Sequence, residues 1–400
     1  GALRRLLLLQ PGDRYREPEL AADRARLREL DLFTDVQARV EITRPGEATV
    51  TWIVNERKTR DLRLGVSVGG EGGAIGSLAY SDVNFRGRAE RLSVVGIVGT
   101  IEWQAGGAIE FFDPWIAAPG VRLNARVYSE PRFRFSRELA RDVADLSHYF
   151  ERRQGTTWFL AYPQGAGREF TLGARLEAVD IEGLPLGRLR NTPESVDADV
   201  ALVSAGWNRT RIDDPDYPTR GATTAILLSG GIADHDAAGL SGLGRLSAEV
   251  RRYWPLRPTP RDPVARTTAR APVVALRLAG GTTLGDPPFF EQFFLGGIGE
   301  LRGYLEDRFW GEQFALASAE LRWPFGRRVT GVLFVDVGDA WGSEFQFQRG
   351  VATAFSQHTG FAPRLGYGVG VRVATPIGTA RLELGIGEAV RVHFALGGGF

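Results

Sequence analysis

The strongest constraint on the fold is an alternation of apolar and polar side chains that runs from Arg60 to the end of the chain. Side chains two residues apart lie on the same face of a β-strand, so each alternating segment has one apolar and one polar face. Turn sequences rich in glycine, proline and aspartate separate the segments. At the two ends the apolar residues are Leu62, Leu64, Val66 and Val68, and Val390, Val392, Phe394, Leu396 and Phe400.

Seventeen segments fit strands, which predicts a sheet of about sixteen strands, an even number as bacterial outer-membrane barrels require. The stretch from 133 to 150 has two interpretations, a strand or, over 136–149, a short amphipathic helix in a loop. The expected strands lie near 62–69, up to Tyr80, 88–98, 101–111, 121–130, 133–150, 155–162, 168–180, 198–210, 221–232, 244–254, 272–284, 313–323, 331–341, 364–374, 379–387 and 390–400.

Composition is consistent with a barrel that crosses a membrane with strands. No apolar run approaches the roughly 20 residues that a membrane-spanning helix needs, and the mean hydropathy is −0.14. Closed barrels cross the bilayer with alternating strands, whose mean hydropathy is modest. Glycine accounts for 51 of 400 residues, well above the usual ~7%. A soluble sandwich rarely needs so many strands in one domain.

The first 58 residues differ from the rest. Glu17-Pro18-Glu19-Leu20 opens an amphipathic helix, and residues 36–42 and 48–54 alternate as two strands around the turn Arg44-Pro45-Gly46-Glu47. We expect the sequence to begin inside a domain, because it has neither an initiating methionine nor a recognisable signal peptide.

One stretch, Phe289 to Tyr304, differs from an ordinary surface loop. Its four phenylalanines and Leu295 favour burial, and its glycines allow sharp turns. Arg302 would then be enclosed, and a buried guanidinium needs a carboxylate in fixed geometry. The alternation puts Glu320 and Asp336 on polar strand faces, where they are the candidate partners.

These residues carry a resemblance to a known family. Leu301-Arg302-Gly303-Tyr304 after a Gly-Gly run, followed by Phe334, Asp336 and Gly338 in the pattern Phe-x-Asp-x-Gly, resembles the BamA/TamA-type outer-membrane assembly factors and the related two-partner-secretion transporters. The resemblance implies a sixteen-stranded antiparallel outer-membrane β-barrel over residues 59–400. It also implies an inward-folded sixth extracellular loop at about 285–312, and a partial α+β POTRA domain over residues 1–58, in the periplasm.

The resemblance also points to the junction of the first and last strands. It implies that these strands pair weakly, so that the seam can open sideways, and that the terminal phenylalanine is an assembly signal. Glycines 397–399 either soften this seam or simply ease strand curvature. The residues concerned are Leu64, Val66, Phe394, Leu396, Gly398 and Phe400.

The implied function is insertion or translocation of β-barrel or autotransporter polypeptides at the bacterial outer membrane. The expected partners are membrane lipid, unfolded clients and a periplasmic or inner-membrane protein bound through POTRA domains. A secretion pore and a passive anchor or porin remain as alternatives, and the Arg302 ion pair either sets the barrel's conformation or merely plugs its lumen.

The sequence gives little support for an enzyme or for a cofactor. The four histidines are scattered, with neither a His-x-x-x-His pair nor a Gly-x-Ser-x-Gly elbow. Asp213, Asp214 and Asp216 suggest calcium, but prolines and the missing downstream glutamate spoil an EF-hand. The net charge of +1 gives no general attraction for nucleic acid. We therefore expect no catalysis, no cofactor, no metal and no nucleic-acid partner.

Overall fold

The computed structural model describes residues 7, 9–29, 32–69, 73–99, 105–117, 120–132, 150–182, 196–215, 217–235, 239–257, 271–343, 360–375 and 378–397. In this part of the chain, the protein contains a small amino-terminal unit, one large sheet and a long loop. No helix among the described residues has the length and apolar character needed to span a membrane.

The amino-terminal unit consists of one helix and one hairpin. Helix α1 (Glu17–Glu29) begins with Glu17 and Glu19, whose charges suit the positive end of the helix dipole. Strands β1 (Phe33–Arg44) and β2 (Glu47–Glu56) pair antiparallel around the predicted turn. Leu20 and Leu27 of α1 and Val36 of β1 are buried, so the helix lies against the hairpin through an apolar contact.

The large sheet has sixteen strands, and every neighbouring pair is antiparallel. Its order follows the chain, so each strand pairs with the strands before and after it. The strands are β3 (Arg60–Gly69), β4 (Gly73–Phe85), β5 (Glu90–Gly99), β6 (Ala105–Ala117), β7 (Val121–Arg132), β8 (Phe150–Gly165), β9 (Arg168–Glu182), β10 (Val196–Ile212), β11 (Gly221–His235), β12 (Gly239–Pro255), β13 (Val273–Gly285), β16 (Gln313–Pro324), β17 (Val329–Trp341), β18 (Arg364–Thr375), β19 (Gly378–Ile386) and β20 (Val390–Gly397).

The predicted sixteen-stranded antiparallel sheet is confirmed, but the predicted strand order around residues 133–150 is wrong. β7 pairs directly with β8 along residues 122–132, so no strand over 133–150 stands between them. Residues 133–149, including the alternative helix over 136–149, lie outside the described residues. β8 also begins earlier than predicted, because its ladder continues through Glu151, Arg152 and Arg153, where the apolar alternation has stopped.

The two faces of the strands differ as the alternation predicts. On β17, Leu333, Val335 and Val337 are exposed, whereas Phe334 and Asp336 are buried. The same pattern continues through β18 to β20, where the exposed side chains are apolar and the buried ones include arginine and glutamate. The exposed apolar face is the one suited to hydrocarbon, and the other face lines an interior that we call the lumen.

The first and last strands of the sheet come side by side. Cα atoms of β3 and β20 approach within 8 Å, so the sheet curls until its two edges meet. The described residues of these strands form no backbone ladder with each other. The two edges are therefore adjacent but not paired in the described part of the chain.

The connections divide between two ends of the sheet. We call the end at which β3 begins, next to the amino-terminal unit, the near end, and the opposite end the far end. Counting strands from β3 puts the turns at 86–89, 213–220 and 325–328 at the near end. The same count puts the long connection from β13 to β16, residues 286–312, at the far end. This connection, called the inner loop below, folds back into the lumen.

Candidate functional site

The inner loop is a packed structure of its own. A 3₁₀ turn at Phe289–Glu291 leads into β14 (Phe293–Leu295), which pairs with β15 (Phe309–Gly311). The Phe289 ring lies 5.3 Å from the Phe294 ring and 6.0 Å from the Trp310 ring, both edge-to-face. Aromatic pairs in this geometry add about 0.5–1.5 kcal/mol each beyond their buried area. The predicted burial of this stretch is confirmed.

Two glycines allow the loop to turn and to approach the wall. Gly296 has a φ of 144°, and a Cβ there would overlap the carbonyl oxygen of Leu305. Gly303 has a φ of 90°, and a Cβ there would lie 2.6 Å from the backbone nitrogen of Gly387. Both backbone conformations favour glycine. The loop therefore places Arg302 and Gly303 against the strands without room for another side chain.

Arg302 is buried and makes a bidentate ion pair with Asp336 of β17. Its Nε and Nη2 donate to Oδ2 and Oδ1 of Asp336, both at 2.7 Å, and its backbone N–H also reaches Oδ2 at 3.2 Å. Its Nη1 donates to Glu320 of β16 at 2.7 Å and to Glu383 of β19 at 3.1 Å. The guanidinium carbon lies 3.6 Å from the centre of the Phe334 ring, a cation–π arrangement. Sequence reasoning predicted Asp336 and Glu320 as partners but missed Glu383.

Further arginines surround the same carboxylates. Arg372 of β18 donates to Glu320 at 2.6 and 3.1 Å and to Glu383 at 2.9 Å. Arg322 donates to Glu320 at 2.8 Å, and Arg381 lies 3.2 Å from Glu383. The network thus joins four arginines to three carboxylates on five elements. Arg322, Arg372 and Arg381 alternate with apolar neighbours in the sequence and so belong to polar strand faces, but only the register of the sheet brings them together.

The other residues of the loop motif contact the last strands. The Gly303 N–H donates to Nε2 of His393 on β20 at 3.1 Å, and the Tyr304 hydroxyl donates to the Leu365 carbonyl on β18 at 3.1 Å. Leu301 is fully buried and belongs to an apolar cluster with Leu295, Tyr304, Phe309, Leu316 and Ala340.

Glycines on the strands leave space for the loop backbone. A Cβ at Gly366 of β18 would overlap the Arg302 carbonyl oxygen, and one at Gly385 of β19 would lie 2.5 Å from the Gly303 nitrogen. At Gly338, a Cβ would lie 3.1 Å from the Leu295 side chain. Gly338 was part of the predicted motif, and the structure gives it a steric role beneath β14.

A second anchor holds the start of the loop to the other side of the sheet. Glu291 is buried and lies 2.7 Å from Arg175 of β9 and 3.2 Å from Arg153 of β8. Arg153 also donates to the Phe290 carbonyl at 3.0 Å and to Glu177 at 2.8 Å. The loop is therefore fixed to β8 and β9 through an anion and to β16, β17 and β19 through a cation. Sequence reasoning missed this anchor.

Arg302 and Glu291, the two charged residues that anchor the loop, both remain ionised. Burial disfavours the charged guanidinium of Arg302, but hydrogen bonds to Asp336 and the attraction of Glu320, Asp336 and Glu383 outweigh it and raise its pKa. Burial likewise tends to raise the pKa of Glu291, but Arg175 and Arg153 outweigh it and lower this pKa. A buried charge is tolerated only when it is paired and hydrogen-bonded, which both anchors provide.

The structure places four of the six predicted seam residues on the two facing edges of the sheet. Leu64 of β3 and Phe394 of β20 have exposed side chains. Val66 and Leu396 belong to the same two strands. Gly398 and Phe400 lie outside the described residues, so the terminal signal stays a prediction.

Of the aspartates considered for calcium, Asp213 and Asp214 accept hydrogen bonds within their own turn, and Asp216 lies outside the described residues. Asp213 accepts hydrogen bonds from the backbone N–H groups of Thr219 and Arg220 at 2.9 and 3.0 Å, and from the Thr219 hydroxyl. Burial tends to raise the pKa of Asp213, but these hydrogen bonds outweigh it and lower it. Asp213 therefore closes the near-end turn over 213–220. Within the described ranges, no group of three or more acidic, histidine or cysteine side chains is arranged to hold a metal ion.

Comparison with known sequences supports the resemblance. Residues 84–400 match the Omp85 superfamily domain. The chain is 23% identical over 364 residues to the outer membrane protein assembly factor BamA of Neisseria meningitidis, covering 82% of this chain and 43% of that protein. It is 36% identical over 124 residues to the chloroplastic outer envelope protein 80 of Arabidopsis thaliana, covering 30% of this chain and 16% of that protein. The chain thus spans less than half the length of these curated relatives.

Solved structures share the fold. BamA from Haemophilus ducreyi lacking POTRA domains 1–3 superposes with a TM-score of 0.72 at 17% identity, covering 98% of this chain and 80% of that one. CdiB from Escherichia coli superposes with a TM-score of 0.59 at 14% identity, covering 99% and 73%. At these identities the likeness concerns the fold, which is a BamA-like barrel.

Proposed function

The chain belongs to the Omp85 superfamily, and from this membership we propose that it inserts polypeptide clients into the outer membrane or moves them across it. Members such as BamA are bacterial outer-membrane β-barrel proteins, and the sheet of this chain belongs in that membrane. The more specific proposal is a BamA- or TamA-like role, in which the clients are β-barrel or autotransporter polypeptides.

The observation that carries the proposal is the attachment of the inner loop to the last strands. Arg302 contacts β16, β17 and β19, and the next residue, Gly303, contacts His393 of β20. A displacement of the loop therefore changes the support of the strands that end at the seam. A passive anchor has no need for this connection, whereas a barrel that rearranges its seam does.

A mechanism of strand addition follows from the adjacent edges. Unpaired N–H and C=O groups at a sheet edge are a template for another strand. β3 and β20 approach each other without forming a ladder among their described residues. A client strand would pair with such an edge, and burial of its apolar face in lipid would supply the driving force. The proposal needs neither a nucleotide nor a metal.

The orientation in the membrane follows from the amino-terminal unit. We assign α1 and the β1–β2 hairpin to the closing part of a POTRA domain, which puts the near end of the sheet in the periplasm and the far end outside. Partners of such domains would be periplasmic or inner-membrane proteins. Residues 1–58 and 59–400 are the corresponding proposed domains, with the inner loop as the sixth extracellular loop.

A secretion pore is the second candidate. The likeness to CdiB, a two-partner-secretion protein, supports it, and in such a pore an unfolded chain would pass through the lumen. The inner loop occupies that route, with Arg302 and Glu291 joined to opposite parts of the wall. Transport through the lumen therefore requires both anchors to open and should produce a large ion conductance.

Site-specific cross-linking separates these candidates. The chain contains no cysteine, so a single introduced thiol reports one position. We expect Leu64→Cys on β3 to form a disulfide with a cysteine in an arrested β-barrel client. Leu278→Cys on β13 is the matched control, because Leu278 is also an exposed leucine but lies in the middle of the sheet.

A third thiol tests the pore. Ser247→Cys lines a lumenal cavity next to the inner loop. Cross-linking of the client through this position, together with none through Leu64→Cys, would favour the secretion pore. Equal cross-linking through Leu64→Cys and Leu278→Cys would rule out strand addition at the seam.

A further inference from the structure

An apolar groove lies on the outer face of the sheet, at the near end of its last five strands. Its volume is about 590 Å³, and its lining is almost entirely apolar. Leu333, Val371, Leu382 and Val392 contribute from β17 to β20, and each of these side chains is exposed. The groove therefore follows the membrane-facing surface as far as β20, the strand at the edge of the sheet.

Aromatic residues close the groove at the near end. Trp323 is the penultimate residue of β16, and Phe325 begins the turn to β17; both line the groove. Phe325 packs over Gly331, where a Cβ would lie 2.7 Å from its ring. Aromatic side chains at the ends of barrel strands typically lie at the level of the lipid headgroups. This end of the groove is therefore where a headgroup would lie.

Arginines without acidic partners surround this end. Arg327 and Arg328 occupy the turn that begins with Phe325, and both are exposed. Neither side chain has an ion pair or hydrogen bond within the described part of the chain. The guanidinium of Arg257, from the neighbouring near-end turn, lies 5.7 Å from the centre of the Trp323 ring. Three positive charges thus lie beside an apolar groove, with no carboxylate paired to any of them among the described residues.

We propose that this groove binds one anionic phospholipid of the periplasmic leaflet, with an acyl chain along β17–β20 and the phosphate between Arg257, Arg327 and Arg328. The proposal rests on the orientation given under the proposed function. Arginine binds phosphate well because its planar donors match the phosphate oxygens, and basic clusters at membrane surfaces select anionic headgroups. The bound lipid would lie beside the seam strand β20 and stabilise the last strands from outside.

The test measures lipid binding by the purified full chain in detergent, using native mass spectrometry with phosphatidylglycerol and phosphatidylcholine as probes. We expect one site that prefers phosphatidylglycerol. A basic residue near a membrane surface contributes about a five-fold preference for anionic lipid, so Arg327→Ala/Arg328→Ala should weaken phosphatidylglycerol binding by about 25-fold. Phosphatidylcholine binding should change little, and added salt should reduce the preference of the unchanged chain.

A matched control comes from another near-end turn. Arg220 is exposed in the turn between β10 and β11, away from the groove, so Arg220→Ala should bind phosphatidylglycerol normally. Heat-modifiable migration in gels verifies that each variant is folded. An unchanged affinity of the double variant, or an equal loss in Arg220→Ala, would overturn the site.

Competition distinguishes a lipid site from a phosphate site. Glycerophosphoglycerol, which is the headgroup without acyl chains, should not displace the lipid at equal concentration, because the groove holds the chain. Displacement by this compound would show a simple phosphate site and overturn the proposal, as would tighter binding of lipopolysaccharide. Client insertion plays no part in these measurements, so failure of the lipid site would leave the proposed function standing.

Discussion

The inner loop is held by two anchors of opposite charge. They differ in whether the buried charge on the wall keeps another partner when the charged loop residue is removed. At the Arg302 anchor, Asp336 is fully buried, and among the residues that the structure describes only Arg302 pairs with it. At the Glu291 anchor, Arg153 keeps Glu151 at 2.9 Å and Glu177 at 2.8 Å even without the loop. The first anchor therefore depends on the loop, whereas the second is a wall network that the loop joins.

The number of partners that remain, rather than burial alone, therefore sets how much stability is lost when a buried charge is removed. Removing one member of a buried pair is expensive when the other is left uncompensated. The loss of stability is smaller when the other member has further partners.

Removal of the Arg302 side chain should have the largest effect. We expect Arg302→Ala to destabilise the barrel by about 3–5 kcal/mol, because Asp336 would remain buried without a cation. The measurement is the free energy of unfolding in urea, monitored by the difference in gel migration between the heated and the unheated protein. Assembly activity should fall with it if the loop supports the seam.

Arg308→Ala is the control for this variant, because Arg308 belongs to the same loop but pairs with Glu388 outside the buried network. A loss of stability in Arg308→Ala as large as in Arg302→Ala would contradict the assigned cost. Arg302→Lys is an intermediate case, since lysine keeps the charge but cannot form the bidentate pair. Its loss of unfolding free energy should lie between the losses in Arg308→Ala and Arg302→Ala.

Loss of the Glu291 charge at the second anchor should lower the unfolding free energy by less than loss of Arg302 does. Glu291→Gln retains the shape of the side chain but removes the charge that pairs with Arg175 and that strengthens the hydrogen bond from Arg153. A hydrogen bond to a charged group is worth about 1.5–3 kcal/mol. We expect a decrease in unfolding free energy at the low end of this range. Glu110→Gln, which affects a pair with Arg126 on the wall, is the control that leaves the loop unchanged.

The two anchors share no residue, so their effects should be nearly additive. A double variant Arg302→Ala/Glu291→Gln that deviates from the sum by more than about 0.5 kcal/mol would show that the loop moves as one rigid body. In that case the contrast between the anchors would disappear.

A change on the wall should also break the first anchor without altering any charge. We expect Gly366→Ala to destabilise the barrel by about 1–3 kcal/mol, the usual range for overpacking, because its Cβ would overlap the Arg302 carbonyl oxygen. Gly242→Ala is the matched control, since a Cβ there meets nothing within 4 Å. Equal unfolding free energies for these two variants would contradict the close contact.

The sequence predicted the fold and half of the first anchor. Period-two alternation placed Glu320 and Asp336 on inward faces, and an enclosed arginine required a carboxylate. Glu383 and His393 could not be predicted as partners, because they lie 81 and 90 residues along the chain from the loop residues they contact. Only the register of sixteen strands brings them near.

The second anchor was missed for a related reason. Glu291 stands in the stretch that the sequence marked as buried, so a cation should have been sought for it. Its partner Arg153 lies three residues after the segment 133–150, whose assignment as strand or helix was open. The apolar alternation of β8 begins only after Arg153. The sequence therefore could not show on which face of the strand the Arg153 side chain lies.

The smallest predicted effect concerns the exposed edge of the loop. Arg308 donates to Glu388, in the far-end turn between β19 and β20, at 2.8 and 2.9 Å. These hydrogen bonds lower the pKa of Glu388 against the opposing effect of burial. The pair is partly exposed, so it should contribute less than about 1 kcal/mol.

The sign of the pH dependence follows from this lowered pKa. Glu388 should stabilise the folded state fully above its unfolded pKa of about 4.5, and this contribution should disappear as pH falls through the lower folded pKa. The difference in unfolding free energy between the unchanged chain and Glu388→Gln should therefore be constant from about pH 7 to pH 5.5 and shrink below about pH 4.5. High salt should reduce it at neutral pH. A difference that grew on acidification would mean that Glu388 is destabilised by its surroundings, and the exposed pair would then oppose the two buried anchors rather than support them.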